Sequence, residues 1–106
     1  MGFFDFLKRP DIHQGLQECR SDPAALLLDV RSAREFREGH IPGSINLPLE
    51  ILHSAPSVLK DHDVPLYVYC YSGARSAQAA RILAGMGYAR VKNIGGIASY
   101  SGPVET

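Results

Sequence analysis

The sequence predicts an α/β fold: a small, mainly parallel sheet with helices on both faces. Three observations carry that expectation. Apolar, β-favouring runs at 24–30, 66–70 and 91–94 alternate with segments of helical periodicity. The run at 24–30 is continuously apolar, the mark of a strand covered on both sides. The first two runs stop abruptly, one at Asp29 and Arg31 and the other at Cys70, and parallel sheets with right-handed crossovers gather their sites beyond such strand ends.

With 106 residues the chain is long enough for one core without metal or disulfide support. We expect an N-terminal arm at 1–10, a single domain at 11–100 and a C-terminal tail at 101–106. The 11 basic and 11 acidic residues cancel, so no electrostatic footprint for nucleic acid or an anionic membrane exists. Two cysteines, Cys19 and Cys70, are too few for a disulfide scaffold and suit a reducing compartment, the cytoplasm by default. The start, Met1 to Leu7, is too short for a signal peptide and is interrupted by Asp5; Phe6 stands where myristoylation needs Ser or Thr.

Taken in order, Asp11 caps a helix over 12–20 that turns Ile12, Leu16 and Cys19 to one face, which makes Cys19 a small core residue. Ser21-Asp22-Pro23 is a turn, and the strand of 24–30 follows. Ser32-Ala33-Arg34-Glu35 is a capping box opening a short helix that Gly39 closes. Ile41-Pro42-Gly43-Ser44 fits a type II turn before a short strand at 44–47. Helical pattern at 49–60 is interrupted by Pro56, giving two short pieces. After the strand of 66–70, a helix from about Ser76 turns Ala79, Ala80, Leu83 and Met86 inward, with Gly85 and Gly87 ending it. The strand at 91–94 leads to a tight turn at Gly95-Gly96 and one helical turn at 97–100. The tail at 101–106 is expected to fray.

Cys70 is the candidate nucleophile. It stands between a strand end and a helix start, where free backbone N–H groups create positive potential, and a thiolate is an anion that such a setting favours. Arg75 adds a full positive charge five residues on, lowering the thiol pKa further. A guanidinium also matches the geometry of an oxyanion. Asp29 and Arg31 read as organisers of the loop rather than participants in chemistry. His40 reads as structural, and His13, His53 and His62 have no ligand spacing, so neither a metal site nor a cofactor is expected.

Three segments together resemble the rhodanese-like family of sulfurtransferases: Leu28-Asp29-Val30-Arg31 with Glu35-Phe36; Gly39-His40-Ile41-Pro42-Gly43-Ser44-Ile45-Asn46; and Val68-Tyr69-Cys70-Tyr71-Ser72-Gly73-Ala74-Arg75-Ser76. Asn93-Ile94-Gly95-Gly96-Ile97 adds a fourth match near the end. The resemblance implies that Cys70 carries a persulfide, cradled by backbone amides of the loop, with Tyr71, Ser72, Gly73, Ala74, Arg75 and Ser76 as substrate-binding residues. It implies a small sulfur donor, thiosulfate or another, and a cyanide or cellular thiol acceptor, with a thioredoxin-like protein among the candidate acceptors. Many relatives have tryptophan where this chain has Tyr100. The loop also lacks the paired basic residues of thiosulfate-using members, leaving Arg75 alone to meet a sulfonate.

Two alternatives belong to other classes. A cysteine phosphatase or arsenate reductase of related fold needs five residues between cysteine and arginine, and only Tyr71, Ser72, Gly73 and Ala74 intervene here. A non-catalytic rhodanese-like binding module commonly lacks the cysteine, which this chain keeps.

Overall fold

The computed structural model describes residues 9–106, so most of the expected N-terminal arm lies outside the described residues. Elements follow in the order α1 (Ile12–Arg20), β1 (Leu26–Asp29), α2 (Ala33–Glu38), β2 (Ile45–Asn46), a 3-10 segment (Leu49–Ser54), α3 (Ala55–Val58), β3 (Leu66–Cys70), α4 (Ala74–Gly85), β4 (Val91–Gly96) and a last 3-10 turn (Ile97–Ser99). The four strands form one parallel sheet in the order β2-β1-β3-β4. Successive side chains on a strand point to opposite faces, so each strand feeds two cores. Leu28, Leu66, Val68 and Cys70 face α3 and α4 with Leu52, Ala79 and Leu83. Leu27, Tyr69 and Ile94 face α1 with Ile12, Leu16 and Cys19. Helices therefore cover both faces, and Cys19 is one of the buried core residues.

Local signals explain most boundaries. Asp11 accepts from the amides of His13 and Gln14 at the start of α1. Ser32 and Glu35 form the reciprocal capping box of α2. Gly43, at φ 87°, supplies the positive φ of a type II turn closed by Ser44 N–H donating to Ile41 C=O. Pro56 sits in the first turn of α3, where its missing N–H costs nothing, so the break falls just before it.

Three expectations change. The helix after Cys70 begins at Ala74, not near Ser76, because Gly73 at φ 101° turns the chain directly into α4. Gly95 and Gly96 continue β4 rather than forming a tight turn: Tyr69 pairs with Gly95 and Cys70 with Gly96 beyond a register shift at Val68/Tyr69. A pair of glycines reads as a turn in sequence, but here Gly95 supplies a φ of 108° within the strand and the missing side chain of Gly96 admits the backbone of Tyr71 and Ser72. The C-terminal segment is tied back, since His40 and Glu105 exchange backbone hydrogen bonds of 2.9 and 2.8 Å.

Gly15 lets α1 lie close on β4. A Cβ there would stand 2.4 Å from Ile94 Cγ2 and 2.5 Å from its Cβ, whereas nothing lies within 4 Å of a Cβ placed on Gly85. Glycine to alanine in a helix ordinarily stabilises by about 0.4–1 kcal/mol. Gly85→Ala is expected to follow that rule. Gly15→Ala should instead destabilise by about 1–3 kcal/mol, because branched Ile94 cannot swing aside. Urea unfolding midpoints of the two variants, moving in opposite directions, would check this.

Candidate active site

Cys70 ends β3 with 1 % of its surface exposed. Its position follows from the pleat: the alternation that buries Leu66 and Val68 on the α4 side carries Cys70 to the same side, directly before the chain leaves the sheet. The chain then turns through Tyr71, Ser72 and Gly73 into α4, curling its amides back toward the sulfur. The Gly73 N–H donates to Cys70 Sγ at 3.0 Å, and the Ser76 hydroxyl lies 3.5 Å from it. Burial alone would push the thiol up, but hydrogen bonds from the Ser76 side chain and from the amides of Ser76, Gly73 and Ser72 outweigh it and hold the Cys70 pKa below its ordinary value. Cys19 shows the opposite case, with burial pushing its thiol up. Of the two cysteines, the fold activates only Cys70.

The loop rests on β4. A Cβ at Gly96 would lie 2.1 Å from Tyr71 carbonyl oxygen and 2.6 Å from Ser72 Cα, so only glycine permits this approach. Asn93 fastens the two together. Its carbonyl oxygen accepts from Ser76 Oγ at 2.7 Å and from Gly95 N–H at 3.0 Å, while its amide nitrogen donates to Gly73 C=O at 3.3 Å. Ser76 is fully buried and has one hydroxyl proton to share among Asn93, Gly73 C=O at 3.1 Å and the sulfur. The shortest contact goes to Asn93, so a charged sulfur must draw that proton away by rotation of the hydroxyl.

Arg75 is not aimed at the sulfur by hydrogen bonding. It lies in the first turn of α4 and gives both terminal nitrogens to Glu35, Nη1 to Oε1 at 2.7 Å and Nη2 to Oε2 at 3.0 Å. The Arg75 guanidinium, together with the Ser32 amide, holds the Glu35 carboxyl down at about 2. Arg75 itself is raised, chiefly by the Glu35 hydrogen bond, with the Cys70 charge contributing.

Asp29 and Arg31 form a buried pair one strand away. Arg31 Nη2 reaches Asp29 Oδ2 at 2.7 Å and Gly39 C=O at 2.7 Å, and Arg31 Nε and N–H both donate to Asp29 Oδ1. Asn46 donates to the carbonyls of Asp29 and Arg31, both at 3.0 Å. This network fixes the tip between β1 and α2, from which Glu35 projects to Arg75. Tyr69, held on the opposite side of β3 from Cys70, accepts from Ile41 N–H at 3.1 Å, and burial pushes its hydroxyl up to about 12.

Sequence reasoning gathered Cys70, Ser72, Gly73, Arg75 and Ser76 into one loop and helix start, and the structure brings them together. Tyr71 points outward, 55 % exposed. The sequence analysis assigns no part in the site to three residues that the structure places there: Asn93, Gly96 and Glu35. A polar side chain within the strand of 91–94 was the available signal for Asn93. Nothing local could have paired Glu35 with a residue 40 positions away.

Comparison with known proteins agrees with this geometry. The family model described as rhodanese-like domain matches residues 11–102. The chain is 36% identical over 77 residues to the thiosulfate sulfurtransferase PspE of Escherichia coli (strain K12), covering 72% of this chain and 74% of that one. It is 41% identical over 83 residues to the thiosulfate sulfurtransferase GlpE of Ectopseudomonas mendocina (strain ymp), covering 78% and 74% respectively. Against the Bacillus subtilis (strain 168) protein YrkF it is 34% identical over 90 residues and spans about half, 48%, of that longer protein. Among solved structures, a rhodanese with anions from E. coli superposes with a TM-score of 0.71 at 33% identity, over 78% of this chain and 99% of that one. The human single-domain sulfurtransferase TSTD1 gives 0.73 at 27% identity, over 87% and 95%. With the family model spanning nearly the whole described chain and the cysteine loop intact, this protein belongs to the rhodanese-like family.

Proposed function

We propose that the chain is a rhodanese-type sulfurtransferase that carries a sulfane sulfur on Cys70. The observation that carries this reading is the amide-lined loop converging on a thiol whose pKa is lowered despite burial. The Cys70 thiolate attacks the outer sulfur of a donor such as thiosulfate. A new S–S bond forms, the donor's S–S bond breaks, and sulfite leaves with the electron pair. The persulfide's terminal sulfur is again an anion, and the amides of Ser72, Gly73 and Ser76 are its natural partners. An acceptor thiolate or cyanide then takes that outer sulfur and returns Cys70 as thiolate. A thioredoxin-like protein is one thiol acceptor that fits this step. One helix N-terminus contributes only about 0.3–2 kcal/mol to an anion, so the convergence of several donors, not the α4 dipole alone, supports the reading. Asp29 and Arg31 act as organisers through the tip that holds Glu35.

Exposure to thiosulfate should add one sulfur atom to the intact protein, and dithiothreitol should remove it. Intact mass measurement checks this: Cys70→Ala should abolish the gain and Cys19→Ala should leave it unchanged. An adduct mapped to Cys19 would refute the assignment.

Gly96→Ala should keep the domain folded but displace the Tyr71 and Ser72 backbone, because the new Cβ meets backbone rather than a movable side chain. Losing one or two amide donors to the transition state costs about 2.7–4 kcal/mol, or a hundredfold or more in rate. Single-turnover sulfur loading, with circular dichroism as the folding control, would measure it.

A further inference from the structure

We propose that Glu35 is a specificity-determining positioning residue: by occupying the Arg75 fork it disfavours highly charged donors relative to donors of low negative charge. This rests on the sulfurtransferase reading above. The observation is geometric. Arg75 is the cationic residue of the loop, and both of its terminal nitrogens are spent on one carboxylate at 2.7 and 3.0 Å. That carboxylate is itself held from behind, since Glu35 Oε1 also accepts from Ser32 N–H at 3.1 Å in the capping box of α2. The tip carrying α2 is pinned in turn by Asp29, Arg31 and Asn46.

Glu35 is therefore presented to Arg75 by a prebuilt scaffold and is not a surface side chain that happens to be near. The contrast lies on the same helix: Arg34 and Glu38 form an i,i+4 pair at 3.5 Å with side chains 84% and 65% exposed, an ordinary solvated contact. A donor arriving at Cys70 meets a guanidinium whose charge is already balanced. Coulomb energy scales with the donor's charge, so the negative charge that Glu35 adds beside Arg75 opposes thiosulfate, a dianion, twice as strongly as a monoanionic donor.

Glu35→Gln isolates this effect, because glutamine also satisfies the capping box while removing the charge. Glu38→Gln removes the same formal charge from the same helix without touching Arg75. The two donors are thiosulfate and methanethiosulfonate, a monoanion with the same sulfonyl reach that delivers its outer sulfur to the thiolate and releases methanesulfinate. Sulfur loading of the full chain is measured with each donor at low and at high salt. In Glu35→Gln, kcat/KM at low salt should rise roughly fourfold for thiosulfate and roughly twofold for methanethiosulfonate, mainly through KM, as the charge proportionality requires. Added salt should erode that difference. Glu38→Gln should show neither change. Equal change or equal loss for both donors in Glu35→Gln would overturn the proposal and make the ion pair a structural brace. A wild-type protein that loads no sulfur from either donor would instead overturn the sulfurtransferase reading, and this inference with it.

Discussion

The hydrogen bond from Gly73 N–H to Cys70 Sγ, 3.0 Å long, is the interaction on which the rest of the structure depends. It requires a chain that leaves a strand, reverses within three residues and enters a helix with its amides still facing the strand end. A buried thiol without such donors behaves as Cys19 does, with its pKa pushed up. At Cys70 the same desolvation is present and is overcome. The sheet buries the sulfur from below, which makes each donor count for more in a medium of low polarity, and the loop supplies the donors from above.

Holding that loop is the work of β4. Gly96 gives up its side chain so that Tyr71 and Ser72 can lie directly on the strand, and Asn93 bridges the strand to Gly73 and Ser76. The register shift between Val68 and Tyr69 sets Gly96 opposite Cys70. On the other side, the buried Asp29 and Arg31 pair holds the tip of α2, and Glu35 closes onto Arg75. Cys70 is thus fixed by its own strand, by a neighbour through backbone contact and by a second neighbour through an ion pair. Breaking one partner of the buried pair would leave a charge uncompensated.

Much of this was legible in the sequence because it is written in local pattern. The apolar runs gave the strands, Ser32 and Glu35 gave a cap that forms as read, and the strand-end position of Cys70 singled it out before any contact was known. What escaped was non-local. Gly95 and Gly96 read as a turn because glycine pairs usually supply positive φ, and Gly95 does have φ 108°, yet the use of Gly96 is to let the backbone of Tyr71 and Ser72 approach. Arg75 read as a free cation because its partner is forty residues earlier. The tail at 101–106 reads as frayed because chain ends usually are, and its attachment to His40 is made chiefly by backbone groups, which carry no sequence signal. Residues 1–8 lie outside the described residues.

The central claim is that the loop, with Ser76 and its neighbouring amides, holds the pKa of a buried thiol below that of an ordinary cysteine. Alkylation of Cys70 by iodoacetamide as a function of pH, followed in a Cys19→Ala background, tests it most directly. Because the folded-state pKa is depressed, the reaction rate should rise and level off at lower pH than for an ordinary cysteine, with its inflection below about 8.5. Ser76→Ala should move the inflection upward. An inflection at or above that ordinary value in the parent protein, or one that Ser76→Ala leaves in place, would contradict the account.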